Sequence, residues 1–156
     1  MPLWYFAYGS NMSPATLQDR RRLSPLSSRR AWLDGYRLCF DIPIGPGERG
    51  VANLTLEAAA RTHGVAHLLS EADADVLDRT EGVHVGLYFR ETVEMQTNEG
   101  VLAGFTYRST MTSVGRKPSA RYLGILLEGA RFHALPDEYL RVLEAFELAI
   151  DERVRG

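Results

Sequence analysis

Apolar positions fall in short blocks with two different periods, and these blocks predict the elements. Leu3-Trp4-Tyr5-Phe6-Ala7 is a continuous apolar run of a length suited to a buried strand. Ser13-Pro14 follows and predicts a helix start, with Ser13 as cap and Pro14 at the first helical position. From about Arg30 to Ile42 the pattern is that of an extended strand, with a bulge at Gly35. The stretch from Pro43 to Gly50 holds Pro43, Gly45, Pro46, Gly47 and Gly50 and predicts a mobile loop. Val51 to Leu56 and Val65 to Leu69 predict two strands, joined by a turn near His63-Gly64. Ser70-Glu71-Ala72-Asp73 is like a capping box with Asp in place of the usual Glu; its helix runs through Val76-Leu77 and stops near Gly82. Val85, Leu87, Phe89, Val93 and Met95 then alternate, with a break at Glu91, and Asn98-Glu99-Gly100 predicts a hairpin turn into Val101 to Tyr107. A polar loop from Arg108 to Pro118 precedes two helices, near Ser119 to His133 and Asp137 to Glu152, separated by Leu135-Pro136. Local antiparallel pairing mixed with crossovers predicts an α+β class with a curled or barrel-like mixed sheet.

The totals narrow this picture. A chain of 156 residues fits a single domain, 1–156, with a full core. The formal charge of -2 gives no drive toward nucleic acid or an anionic membrane. Lys117 is the only lysine, and the densest basic runs are Arg20-Arg21-Arg22 and Arg29-Arg30. Neither run is interleaved with stacking aromatics, so both read as solvated faces. Cys39 stands alone, which excludes a disulfide framework within the chain and a cysteine-based metal site. It falls in an apolar run and reads as a small core filler. No basic segment followed by a long apolar stretch opens the chain, and the expected compartment is the cytoplasm.

Chemistry concentrates at a few positions. Between the first strand and its helix lies Tyr8-Gly9-Ser10-Asn11-Met12, a tight turn of mostly small polar residues. Gly9 lets the backbone approach a ligand closely, and turn amides at the positive end of a helix form an anion site. Taken alone, the same pattern also describes a plain connecting turn. Glu81 sits at the C-terminal end of its predicted helix, where the dipole disfavours negative charge and would raise its pKa, as suits a general base. By position alone it also fits a solvated helix end. His63 and His67 stand four apart, but on a segment that reads as turn and strand instead of helix, and with His84 and His133 they read as surface or packing residues and not as metal ligands. No GxSxG, GxxxxGK[ST] or GxGxxG is present. Tyr107 and Tyr122 lie at element ends, where a ring packs while its hydroxyl stays reachable.

Together these residues resemble the γ-glutamylcyclotransferase family. Tyr5-Phe6-Ala7-Tyr8-Gly9-Ser10-Asn11-Met12 is similar to that family's N-terminal signature. Glu81-Gly82-Val83, with Tyr88 after it, is similar to the segment with its catalytic glutamate. Pro118-Ser119-Ala120-Arg121-Tyr122, Glu128-Gly129-Ala130 and Leu135-Pro136-Asp137-Glu138-Tyr139 follow its C-terminal pattern. The resemblance implies a small mixed β-barrel with surrounding helices, and conversion of a γ-glutamyl-amino acid, amine or amide to 5-oxoproline without metal or organic cofactor. It implies Glu81 as the proton shuttle. Tyr8, Gly9, Ser10, Asn11 and Met12 would form the substrate loop, with Tyr107 and Tyr122 at the pocket wall. The partner implied is a small γ-glutamyl substrate. Two other readings share these residues: a catalytically weak module that binds a glutamate-like ligand, and a tailoring enzyme that removes a γ-glutamyl group from a larger intermediate. In the tailoring reading, the Pro43 to Gly50 loop and the Arg108 to Lys117 segment would contact the partner. For assembly, Trp4 or Trp32 would seed a homodimer.

Overall fold

The computed structural model describes residues 1–150. Five strands close into a barrel in the order β1-β3-β2-β4-β5: β1 (Leu3–Ala7), β2 (Ser27–Pro43), β3 (Gly50–Leu69), β4 (Phe89–Thr97) and β5 (Gly100–Arg108). β1 runs antiparallel to β3 and parallel to β5, which makes the sheet mixed. Among the described residues, three α-helices surround it: α1 (Glu71–Thr80), α2 (Ala120–Phe132) and α3 (Asp137–Glu144). Fully buried Phe6, Leu33, Leu54, Val65 and Met95 belong to the core, each such side chain contributing about 1.5–3 kcal/mol. No helix among the described residues is long and apolar enough to cross a membrane.

Several predicted boundaries move, each for a local reason. The two strands expected around His63-Gly64 are one continuous β3. Gly64 pairs with Ala31 inside the ladder, and a Cβ there would lie 2.3 Å from the Ala7 carbonyl oxygen and 2.7 Å from the Phe6 ring. The glycine serves close approach, not a turn. Gly35 does sit at a register shift between Asp34 and Tyr36, with φ +88°. β4 starts only at Phe89, because Val83–Val85 forms a 3-10 turn between left-handed Gly82 and Gly86, leaving Val85 and Leu87 exposed. Ser70 caps α1 by accepting from the Asp73 amide at 3.1 Å, but the Asp73 carboxylate faces the Ser24 amide, so the box is half-formed. α3 ends at Glu144, where the chain turns back. Phe146 packs edge-on against Phe40 at 4.8 Å, and the Ala149 amide donates to the Pro118 carbonyl. The predicted continuation to Glu152 runs outside the described residues.

Two loop expectations change as well. The segment between β2 and β3 is tied down instead of loose. Arg116 Nη1 donates to the Gly45 and Arg49 carbonyls at 3.0 Å, the Lys117 amide donates to Glu48, and the Gly50 amide donates back to Lys117. Ser13 is buried with no hydrogen bond to its Oγ, while its carbonyl receives the Thr16 and Leu17 amides. Its side chain is therefore no cap: a 3-10 turn (Ser10–Met12) leads into a π-helix (Ala15–Arg20) that begins after Pro14. Cys39 is only half-buried, with its thiol pushed up to about 12 chiefly by desolvation, so it is not a core filler. Trp4 and Trp32 are half-buried, and each has an arginine over its ring at 5.2 Å.

Candidate active site

The end of β1 meets the end of α1 at one cavity of about 260 Å³. α1, capped at Ser70, delivers Glu81 as its C-cap, the residue after Thr80, with the Glu81 amide donating to the Leu77 carbonyl at 2.9 Å. Gly82 then takes a left-handed conformation at φ +71°, which turns the chain away and leaves the carboxyl facing the cavity. Across from it lies the turn that follows β1. The Gly9, Ser10 and Asn11 amides make no backbone hydrogen bond among the described residues, and all three residues line the cavity. Ser10–Met12 is a single 3-10 turn, so these amides themselves, and not a long helix dipole, are what the turn offers an anion.

A short chain of hydrogen bonds joins the turn to the acid. Asn11 Nδ2 donates to Glu81 Oε1 at 3.0 Å and to the Tyr5 hydroxyl at 3.0 Å. Arg21 Nε donates to Asn11 Oδ1 at 2.6 Å. Burial pushes the Glu81 carboxyl above the usual carboxylate range, and Arg21 and the Asn11 bond pull it part of the way back. Desolvation, more than the helix end, is thus the main upward force. The Asn11 carbonyl is held in turn by His67 Nε2 at 3.1 Å, while His67 Nδ1 meets Ser28 Oγ at 2.8 Å. His67 is therefore a packing residue beneath the turn, its imidazole lowered to about 4 mainly by burial.

Five tyrosines wall the cavity: Tyr5, Tyr8, Tyr88, Tyr107 and Tyr122. Desolvation pushes all five phenols upward, Tyr122 to about 12, so each is neutral at ordinary pH. Tyr8 donates to the Tyr107 carbonyl at 2.6 Å, and Tyr88 donates to the Ala52 carbonyl at 2.9 Å. The Tyr122 hydroxyl accepts from the Ala52 amide at 3.1 Å. Tyr107 contributes its ring, since its hydroxyl is bound to Asp78, which also pairs with Arg90. Gly9 leaves little spare room: a Cβ there would lie 3.2 Å from the Tyr122 hydroxyl.

Glu81, Tyr8, Gly9, Ser10, Asn11, Tyr107 and Tyr122 thus share one cavity. Met12 does not. It is fully buried beneath α2, where Gly129 is so close that a Cβ would lie 2.6 Å from the Met12 carbonyl carbon. Met12 closes the 3-10 turn, which rotates its side chain off the cavity side and into the core. Sequence reasoning missed Tyr5, Tyr88 and Arg21. A hydroxyl inside the apolar run of β1 is a weak signal for Tyr5. Nothing in Arg20-Arg21-Arg22 sets Arg21 apart from its solvated neighbours. A second cavity of about 230 Å³ adjoins the first and shares Arg20, Ile44, Val51, Tyr122 and Ile125 with it; Arg49 and Arg121 complete its charged rim. No group of three or more His, Cys, Asp or Glu suited to a metal occurs among the described residues.

Comparison with known proteins gives one direction. A model of the AIG2-like family matches residues 61–143. A gamma-glutamylcyclotransferase of Bos taurus is 31% identical over 149 residues, covering 92% of this chain and 78% of that protein. The gamma-glutamyl cyclotransferase gliK of Claviceps purpurea is 32% identical over 143 residues, covering 85% of this chain, which spans 64% of the longer fungal protein. The solved structure of a gamma-glutamyl cyclotransferase superposes with a TM-score of 0.84 at 26% identity, over 99% of this chain and 96% of the other.

Proposed function

The chain belongs to the γ-glutamylcyclotransferase family, and from that premise we propose that it cyclises a small γ-glutamyl compound to 5-oxoproline and releases the amine. The observation that carries this reading is a desolvated carboxyl, Glu81, sharing one cavity with the turn of Gly9, Ser10 and Asn11.

The reaction asks for few groups. The γ-glutamyl chain bends so that its α-nitrogen meets the γ-carbonyl carbon, and holding that conformer removes most of the entropic barrier. Glu81 takes a proton from the α-ammonium. The freed amine forms the new C–N bond, and the carbonyl oxygen becomes an oxyanion that the turn amides stabilise. Glu81 returns the proton to the leaving nitrogen as the oxyanion collapses and the old C–N bond breaks, and the second proton shed by the ring nitrogen passes through the regenerated carboxylate to the released amine, which leaves as its ammonium. A carboxyl poised by burial above its usual range suits both directions of transfer.

The leaving group extends toward the adjoining cavity, over Ile44, Val51 and Ile125, with Arg20, Arg49 and Arg121 at the rim. Guanidinium groups there support an amino-acid leaving group, whose carboxylate they would meet, over a simple amine. The tailoring alternative gains nothing from its two contact segments, since the Pro43 to Gly50 loop and the Arg108 to Lys117 segment are bound to each other. We place the reaction in the cytoplasm, which suits the free thiol of Cys39.

The test is 5-oxoproline release from a panel of γ-glutamyl dipeptides, γ-glutamylamines and glutathione. The dipeptides are expected to turn over fastest. Glu81→Gln keeps the shape and removes the base, and is expected to lose at least about a hundred-fold in kcat. Parent-level turnover by the variant would overturn the assignment. Tight binding of 5-oxoproline by the parent, with no turnover of any substrate, would instead favour a binding module.

A further inference from the structure

We propose that Arg21 is a positioning residue for this reaction: through Asn11 it fixes how the Glu81 carboxylate is held and which of its oxygens faces the substrate amine. The inference rests on Glu81 as the proton shuttle.

An asparagine side chain is ambivalent, since its carbonyl and amino ends have nearly the same shape but opposite hydrogen-bonding character. A guanidinium has only donors. With Arg21 Nε at 2.6 Å, the Asn11 end facing it must be Oδ1. Nδ2 is thereby turned the other way, toward the Tyr5 hydroxyl and Glu81 Oε1, each at 3.0 Å. That donor engages one carboxylate oxygen and leaves Oε2 as the one that meets the substrate. Without Arg21, only the ionised Glu81 carboxylate itself favours this orientation. A reversed amide would present Oδ1 to Glu81, an arrangement that only the protonated acid tolerates. The Asn11 backbone is held independently by His67 Nε2, so the side-chain orientation is the remaining freedom.

The fold puts Arg21 in reach by an unusual route. It closes the π-helix, its amide donating to the Thr16 carbonyl five residues back at 3.0 Å. The next residue, Arg22, turns left-handed at φ 60°. A π-helix turn holds more residues than an α-helical one, so the residue closing it lands elsewhere around the axis. Arg21 thereby reaches the cavity wall while Arg22 stays exposed.

The electrostatic surroundings make Arg21 distinctive. Facing Glu81 are Tyr5 from β1, Tyr8 and Asn11 from the turn, Tyr88 before β4, Tyr107 from β5 and Tyr122 from α2. The phenols are neutral, and His67 behind Asn11 is neutral above about pH 4. Arg20 stands on the rim shared with the second cavity. Arg21 is the cation that lowers the carboxyl, so its loss moves the acid limb of the kcat/KM profile to higher pH.

The experiment is a pH–rate series on Arg21→Met, Arg21→Gln and Arg21→Lys, with Asn11→Ala and the Asn11→Ala/Arg21→Met double variant. Arg21→Met is expected to lower kcat roughly ten- to a hundred-fold at neutral pH, keep KM within about two-fold and shift the acid limb upward by about a unit. Arg21→Lys should restore the limb. Arg21→Gln, which keeps a donor without the charge, should recover plateau kcat with the limb still shifted, and it preserves the comparison if Met fails to fold. In the Asn11→Ala background, Arg21→Met should add little. A raised KM with an unmoved limb, or losses that add with Asn11→Ala, would mean that Arg21 grips substrate or acts alone, and would overturn the inference. Glu81→Gln separates the two claims. If it is inactive while Arg21→Met behaves as parent, only the role of Arg21 falls; if it is active, the proton-shuttle reading falls first.

Discussion

His67 joins the barrel wall to the reacting turn through both ring nitrogens, and that position has a cost that depends on pH. In the unfolded chain its imidazole titrates near 6.5; folded, it titrates near 4 because burial disfavours the cation. Its contribution is therefore fully present above pH 6.5 and is lost as pH falls toward 4. The lowering corresponds to about 3 kcal/mol. Urea midpoints should drop between pH 7 and pH 5, and His67→Gln should show a shallower drop, even if it starts lower. An equal pH slope in both proteins would refute this account. At the same scale, Glu81 and the Tyr8 to Asn11 turn were legible because each carries a local signature: an acid at the wrong helix end, and small polar residues between strand and helix. Arg21 was not, because its partner is a single amide ten residues earlier and its neighbours in the basic run are exposed. Met12 was misplaced for a related reason, since a motif names adjacent residues but not the side on which each one falls.

Helices and strands meet here through glycines more than through interlocking side chains. Gly129 brings α2 against the backbone of Met12 and Ser13, where a Cβ would lie 2.6 Å from both the Met12 carbonyl carbon and the Ser13 nitrogen. The same helix carries Tyr122, so one contact sets both the turn and a pocket wall. Gly129→Ala is expected to cost about 1–3 kcal/mol or more and to lower kcat, as helix and turn are pushed apart. Gly124 lies on the same helix with nothing within 4 Å of a built Cβ. Gly124→Ala is expected to be stabilising by about 0.5–1 kcal/mol, with turnover unchanged. Chemical denaturation of the pair checks both; equal effects would show that the close approach is unimportant. Element types were readable because most strands and helices announce themselves by period and cap. Glycine misled the reading at Gly64, where the residue punctuates nothing and simply clears space for Ala7 and Phe6. The overlong third helix failed in the opposite way, because the packing of Phe146 on Phe40 depends on a strand a hundred residues earlier.

Barrel closure belongs to the whole molecule, and its particular joins left little trace in the sequence. Local antiparallel pairing mixed with crossovers predicted a curled or barrel-like mixed sheet, as found, but not the particular parallel pairing of Trp4 and Tyr5 with Gly104 and Phe105, which joins residues far apart in the chain. Gly104 is again the enabling residue, with a built Cβ only 2.2 Å from the Trp4 carbonyl oxygen. The circuit is uneven around its circumference. β2 and β3 are zipped along their length, and β4 and β5 form a complete hairpin, whereas β2 meets β4 at the single pair of Trp32 with Gln96. A ring fails first at its thinnest join. In deuterated solvent, amides of β2 and β4 near that join should exchange ahead of those in β1 and in the β3 segment beside it, and even protection around the ring would count against the idea. Sub-global breathing of this kind would part the β4–β5 hairpin from the long β2–β3 ribbon while β1 stays paired to β3.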